Sequence, residues 1–182
     1  MSRNRPKEPD LLRSRILAAT QAVLLQDGLA ALTQEKVLAR LDISKGGLQH
    51  HFRTKQAMLD GLFSAMFEQF VLQYRQELGR TPEGPARHIQ AYVRTAHVSD
   101  PAAVEAGKAL TLLAIGNPQY QQEWAGFLDQ MFLADRLEPA THLACRLFAD
   151  GLWFGCVLGP RPDETLAEAA VGHILGLLEK RP

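Results

Sequence analysis

A chain of 182 residues that is 46% hydrophobic and 22% charged can bury one large core or two small ones, and this composition excludes a disordered or fibrous protein. Its formal net charge is zero, which taken alone argues against a polyanionic partner. The distribution argues otherwise: residues 1–55 hold ten Lys/Arg against five Asp/Glu, +5, and residues 56–182 hold ten against fifteen, −5, so one end alone carries the footprint of a nucleic-acid binder. The chain opens with Arg3, Arg5 and Lys7 beside Pro6 and Pro9, expected as a solvated basic tail of the kind that can lie along phosphates. That opening has no apolar core and does not read as a signal peptide. A first helix is expected from about Asp10 to Asp27, with Ile16, Ala19, Val23 and Leu24 as its buried stripe and Gly28 just past its end.

Thr33 to Lys55, TQEKVLARLDISKGGLQHHFRTK, has the form helix, sharp turn, helix, then the start of another helix. Thr33 is a good N-cap, and Val37, Leu38 and Leu41 recur at helical spacing after it. Asp42 tolerates the left-handed backbone that ends a helix, and Ser44 can cap the next one. Leu48 and Phe52, four residues apart, face one side and can pack with Ile43 on Val37 and Leu41. Lys45, Gly46, Gly47, Gln49 and His50 are left facing outward. Each glycine costs roughly 0.8–1.0 kcal/mol relative to Ala inside a helix. The structural reading is a weakly formed helix start; the functional one is close approach to a phosphate or base edge. Lys45 before the pair, and His50, His51, Arg53 and Lys55 after it, favour the second, because phosphate contacts need donors and cations.

With these residues in view, the stretch resembles the TetR family of one-component transcription regulators. The resemblance rests on Gly28, Leu32-Thr33, Val37, Leu41, Ile43-Ser44-Lys45-Gly46-Gly47-Leu48, His51-Phe52, Thr54-Lys55 and Leu59, with Ile16-Leu17 and Ala19 upstream. It covers about the first third of the chain. Three positions depart: Gln49 stands where the family usually has Tyr, Asp42 where Gly usually ends helix two, and Leu38 where a small Ala is usual. The resemblance implies an all-α protein of about nine helices. A DNA-binding domain would span residues 1–55, its helix-turn-helix at 33–52, and an effector-binding and dimerisation domain residues 56–182. It further implies double-stranded DNA with a palindromic operator as partner, a small and largely apolar effector, and a homodimer in the cytoplasm. Thr33 and Gln34 would hold phosphate. Lys45, Gly46, Gly47, Gln49 and His50 would meet base edges or the adjacent backbone, His51, Thr54 and Lys55 would clamp the flanking strand, and Ser44 completes the DNA-binding set.

Helix four is expected from Lys55, capped by Thr54, to about Leu78, with Leu59, Leu62, Phe63, Met66, Phe70 and Tyr74 on one face. Gly79 and Thr81-Pro82-Glu83-Gly84-Pro85 then break the chain. Helix five should span Ala86 to Val98, helix six Asp100-Pro101 to Gly116-Asn117, and helix seven Pro118 to about Arg136. Helix eight should run from Glu138-Pro139 to Leu158, before a hard stop at Gly159-Pro160-Arg161-Pro162, and helix nine from Asp163 to Lys180. The longest apolar run, Gly151 to Gly159, is too short to cross a bilayer.

Helices eight and nine read as an assembly surface, with Phe148, Leu152, Gly155, Ala169, Gly172, His173 and Gly176 as interface candidates. Met66, Phe70, Tyr92, His97, Thr111, Trp124, Phe127, Met131 and Phe132 supply aromatic and sulfur surface for an effector, although such a set at helical spacing is more often plain core. His142, Cys145 and Cys156 share a stripe of helix eight and His173 lies on helix nine. No tight ligand cluster results, so neither metal nor cofactor is expected. Eleven residues apart in one helix, about 16 Å, the two cysteines cannot pair. Enzymatic motifs are lacking: there is no phosphate loop after a strand, no nucleophile elbow, and no HExxH or CxxC. Two other readings remain, a ligand-binding helical protein whose DNA head has decayed and a small helical enzyme.

Overall fold

The structure, a computed structural model, describes residues 8–97, 100–159 and 163–179. Among them are nine helices and no strand: α1 (Glu8–Asp27), α2 (Gln34–Leu38), α3 (Lys45–His51), α4 (Lys55–Arg80), α5 (Arg87–Ala96), α6 (Pro101–Gly116), α7 (Pro118–Phe132), α8 (Pro139–Leu158) and α9 (Glu164–Glu179). The basic tail with Arg3, Arg5 and Lys7, the ends expected at Val98 and Lys180, and the stop at Pro160-Arg161-Pro162 lie outside the described residues. Two compact units result. Met1–Phe67 and Lys108–Tyr120 make one; Glu68–Gly107 and Gln121–Pro182 make the other.

The first unit is built on fully buried Ile16, Val23 and Leu24 of α1, with Leu32, Val37, Leu48, Met58 and Leu62. Gly28 ends α1 at φ 81 and donates its N–H to Leu24 O at 3.0 Å, and it is the described residue that needs left-handed backbone. Asp42 is a correction: no described non-glycine residue has positive φ. Helix α2 instead leaves through tightened turns, Arg40 N–H to Val37 O at 3.1 Å and Leu41 N–H to Leu38 O at 2.9 Å. These satisfy its last carbonyls without a left-handed cap. Thr54 caps α4 by accepting from Ala57 N–H at 3.0 Å. Gly61 lies against the ring of Phe52; a Cβ there would stand 2.7 Å from Phe52 Cε1. Tyr120 fastens the 108–120 segment to α4. Its ring stacks on Phe63 at 4.3 Å, its hydroxyl donates to Asp60 Oδ1 at 2.5 Å, and it accepts from Gln56 Nε2 at 2.9 Å.

In the second unit Ile89, Ala91 and Val93 of α5 and Ala149 of α8 are fully buried, with Tyr74, Tyr92, Leu128 and Met131 nearly so. Ala86 gives α5 no side-chain cap. Asp135 supplies one from elsewhere in the chain, its carboxylate accepting from His88 N–H at 2.9 Å and Ile89 N–H at 2.8 Å. This also corrects the expected end of helix seven at Arg136. The helix stops at Phe132, and Asp135 N–H closes a turn on Phe132 O at 3.1 Å, which turns the carboxylate toward α5. Glu138 caps α8 through Ala140 N–H and Thr141 N–H. Gly107 provides a notch for Trp153, whose indole would lie 2.2 Å from a Cβ at that position.

Candidate nucleic-acid interface

Helix α3 is seven residues long, and its start is set by Ser44, whose Oγ accepts from Gly47 N–H at 3.1 Å. A cap of this kind is worth about 1 kcal/mol. Its inner side is Leu48, fully buried, followed by Phe52 at 4% exposure. Lys45, Gly46, Gln49 and His50 are exposed and Gly47 is half-buried, so the outward tip is as the sequence places it. Among the described residues nothing crowds the two glycines. A Cβ on Gly46 would find only Ser44 Oγ at 3.8 Å; on Gly47 it would meet Ser44 Oγ at 3.5 Å and Ile43 Cβ at 3.9 Å, ordinary contact distances. Neither glycine has positive φ. Among the described residues, neither packing nor backbone geometry therefore repays their helix cost.

The flanking residues divide into two groups. Exposed Thr33 and Thr54 are helix caps, Thr33 accepting from Lys36 N–H at 3.2 Å. Gln34 and Lys55 are half-buried and donate to carbonyls of the chain, Phe52 O at 3.0 Å and Leu29 O at 3.3 Å. His51, half-buried, meets His50 edge-on with ring centroids 5.4 Å apart. Exposed Arg53, one of the cations noted in the sequence, is joined in the same unit by exposed Arg13 and Arg40, which the sequence alone did not single out. Arg13 lies over the Phe52 ring at 5.4 Å, an arrangement visible only once α1 and α3 are folded together. Lys36 is paired with Asp27 at 2.8 Å, and that hydrogen bond holds the Asp27 carboxyl below its usual range.

The residues proposed for an effector do not form one group. Met66 and Thr111 belong to the first unit. Phe70, Tyr92, Trp124 and Phe127, with Phe132, pack ring on ring in the second: Phe70 lies 4.8 Å from Trp124 and 6.0 Å from Phe127, and Tyr92 lies 5.4 Å from Phe132. Met131 is buried in the same core. Tyr92 hydroxyl donates to Asp150 Oδ1 at 2.6 Å, and burial, then the Asp150 charge, pushes its phenol well up. His97 lines a separate groove of about 370 Å³ with Glu77, Arg94 and the α9 residues Glu168, Val171, Gly172 and Leu175.

On α8 and α9 the residues picked from sequence lie at varied depth. Gly155, Ala169, Gly172 and His173 are exposed and Gly176 half-buried, while Phe148 and Leu152 pack partly against the core of their own unit. The outward apolar stripe is Leu143, Leu147, Phe154 and Leu158 on α8, joined by Leu166 and Leu177 on α9; Leu158 is 80% exposed. Cys145 and Cys156 are free and buried, and burial pushes the Cys145 thiol up. His142 sits edge-on to Phe132 at 4.6 Å and 3.8 Å from Asp135 Oδ2. Among the described residues no group of three or more His, Cys, Asp or Glu could hold a metal ion, and no helix is long and apolar enough to cross a membrane.

Two family models match the chain. Residues 16–62 match "Bacterial regulatory proteins, tetR family", and residues 86–179 match "Tetracyclin repressor-like, C-terminal domain". No curated protein sequence matches it. Among solved structures it is similar to GusR of Salmonella enterica, at 18% identity and TM-score 0.64, covering 97% of this chain and 100% of that one. A transcriptional regulator from Rhodococcus sp. Rha1 is similar at 22% identity and TM-score 0.64, over 93% of this chain and 97% of that one. The multidrug binding protein EbrR, complexed with imidazole, is similar at 25% identity and TM-score 0.59, over 94% of each chain. With the helix-turn-helix under one model and more than half the chain under the other, this protein belongs to the tetR family of bacterial regulatory proteins and is a DNA-binding transcription regulator.

Proposed function

We propose that the protein is a homodimeric repressor that holds a palindromic operator through two α3 tips and lets go when a small, largely apolar molecule binds the body. The head would span residues 1–55 and the body residues 56–182. Lys45, Gly46, Gly47, Gln49 and His50 meet base edges or the adjacent backbone, with Gln49 suited to adenine. Ser44 sets the start of α3, and Thr33, His51, Thr54 and Lys55 border the phosphates. Pairing through α8 and α9 would set the two tips one DNA turn apart, about 34–36 Å. The single observation that carries this reading is the exposed, cation-flanked tip whose glycines no described residue crowds.

EbrR, which binds multiple drugs, supports an effector role for the body of this chain. Phe70, Tyr92, Trp124 and Phe127 suit an aromatic or apolar guest, which would have to displace rings now packed on one another. Helix α4 supplies residues to both compact units, so a shift of it can reach the tips. A coupling of about 1–3 kcal/mol is enough for release. The dimer acts in the cytoplasm and carries out no chemistry on its ligand.

Mobility-shift titration on the DNA upstream of its own gene tests the proposal. A specific complex is expected at moderate salt, and Lys45→Ala should weaken it by about tenfold or more. A folded dimer that binds all DNA alike would remove the operator from the reading.

A further inference from the structure

Gln34 is the first residue of α2, and the resemblance gives it a phosphate to hold. Its amide is turned the other way. Nε2 donates to the carbonyl of Phe52 at 3.0 Å in a part-buried bond spanning 18 residues of sequence. Phe52 is the C-cap of α3, with its own N–H on Leu48 O at 2.8 Å. Its ring is pinned, 4% exposed, against the bare Cα of Gly61 and beneath the guanidinium of Arg13. The carbonyl that Gln34 grips is therefore a fixed post. Ser44 holds the front of α3 and Leu48 its middle; the amide of Gln34 ties its far end to α2.

That tie governs the aim of the tip. Seven residues of helix are about 10 Å long, so a tilt of ~10° about one end moves the other by roughly 2 Å. Base-edge hydrogen bonds tolerate only a few tenths of an ångström, so they break first. Long basic side chains on phosphates follow a movement of that size and keep their contacts.

We propose that Gln34 is a positioning residue for base readout, setting the angle of α3 against α2, and that it contributes no phosphate contact. This rests on the reading of α3 as the DNA-entering helix. The test measures the full-length protein against operator and against unrelated duplex over a salt series, well below its melting temperature. Gln34→Leu, which lacks the donor, should lose about tenfold on operator, keep its affinity for unrelated duplex, and keep the slope of log affinity against log salt. Gln34→Asn keeps an amide but falls one methylene short of Phe52, and should show the same selective loss. It serves if the leucine variant folds poorly. A residue that merely stabilises the fold would lower both affinities together. Parallel losses on both DNAs with a slope shallower by about one would show a phosphate contact and overturn the proposal, as would an unchanged preference for operator. A wild-type protein without any preference would overturn both this role and the reading of α3.

Discussion

The carboxylate of Asp135, 2% exposed at its side chain, holds two backbone amides at the start of α5 for which the N-cap residue Ala86 has no side-chain acceptor. Asp135→Ala should therefore leave buried donors unpaired and cost about 2–3 kcal/mol in urea unfolding. A loss within ~0.5 kcal/mol would show the amides satisfied some other way. Tyrosine chemistry gives a second residue-scale test. Burial, then the Asp135 charge, pushes Tyr74 up to about 12; burial and the bond to Asp60 push Tyr120 up, and Tyr92 rises beside Asp150. The fold prefers all three phenols neutral. Their contribution to stability is complete below the ordinary phenol value of about 10 and is lost as pH climbs from there through their raised folded values. Phenolate absorbance should thus be absent near pH 10 and emerge together with loss of helical circular dichroism. A phenolate rise there with helix signal intact would contradict these environments. The capping roles of Thr33, Ser44 and Thr54 are legible in sequence, because a cap acts on amides two or three residues away. Asp135 and Gln34 are not, because their partners lie 46–47 and 18 residues off.

At the scale of elements, α8 shows what periodicity leaves open. A helix apolar nearly all round has no stripe marked as the inner one, so Phe148 and Leu152 look no different from Leu147 and Phe154. The fold separates them, turning the first pair toward the unit's own core and leaving the second outside. Pairing of two protomers is proposed on α8 and α9; with Phe148 and Leu152, two of the candidates from sequence, packed against the unit's own core, Leu147 and Phe154 are the exposed apolar side chains of α8 that such a pairing would cover. Leu147→Glu with Phe154→Glu should weaken association by at least about 3 kcal/mol, more than a hundredfold, since each change occurs twice in a two-fold interface. Sedimentation should then show monomers at concentrations where the native chain is paired, with helix content unchanged. An unaltered dimer would place the seam elsewhere. Helix α7 offers the converse lesson. Its sequence permits continuation to Arg136, but it ends at Phe132, and Asp135 in the turn beyond caps α5.

For the whole molecule, the order of helices could be read from Gly28, Pro82-Glu83-Gly84-Pro85, Pro101, Pro118, Pro139 and Gly159, since turn residues act locally, whereas Gly79, expected as a break, lies inside α4, which runs on to Arg80. The return of Lys108–Tyr120 to the unit of the head could not be, because it depends on Tyr120 reaching Asp60 and Gln56, some sixty residues back. The aromatic residues were visible as a set, yet only folding shows the rings closed on one another with Met66 and Thr111 in the other unit. The glycine tip has a consequence for how such a protein can change. Open space around Gly46 means that Ala would fit and would firm the helix by up to about 1 kcal/mol. On the proposed reading that same methyl stands between backbone and duplex. Heat resistance and gene silencing thus pull this position in opposite directions, and breeding the protein for toughness alone would drift toward a sturdier chain that had gone deaf to its operator.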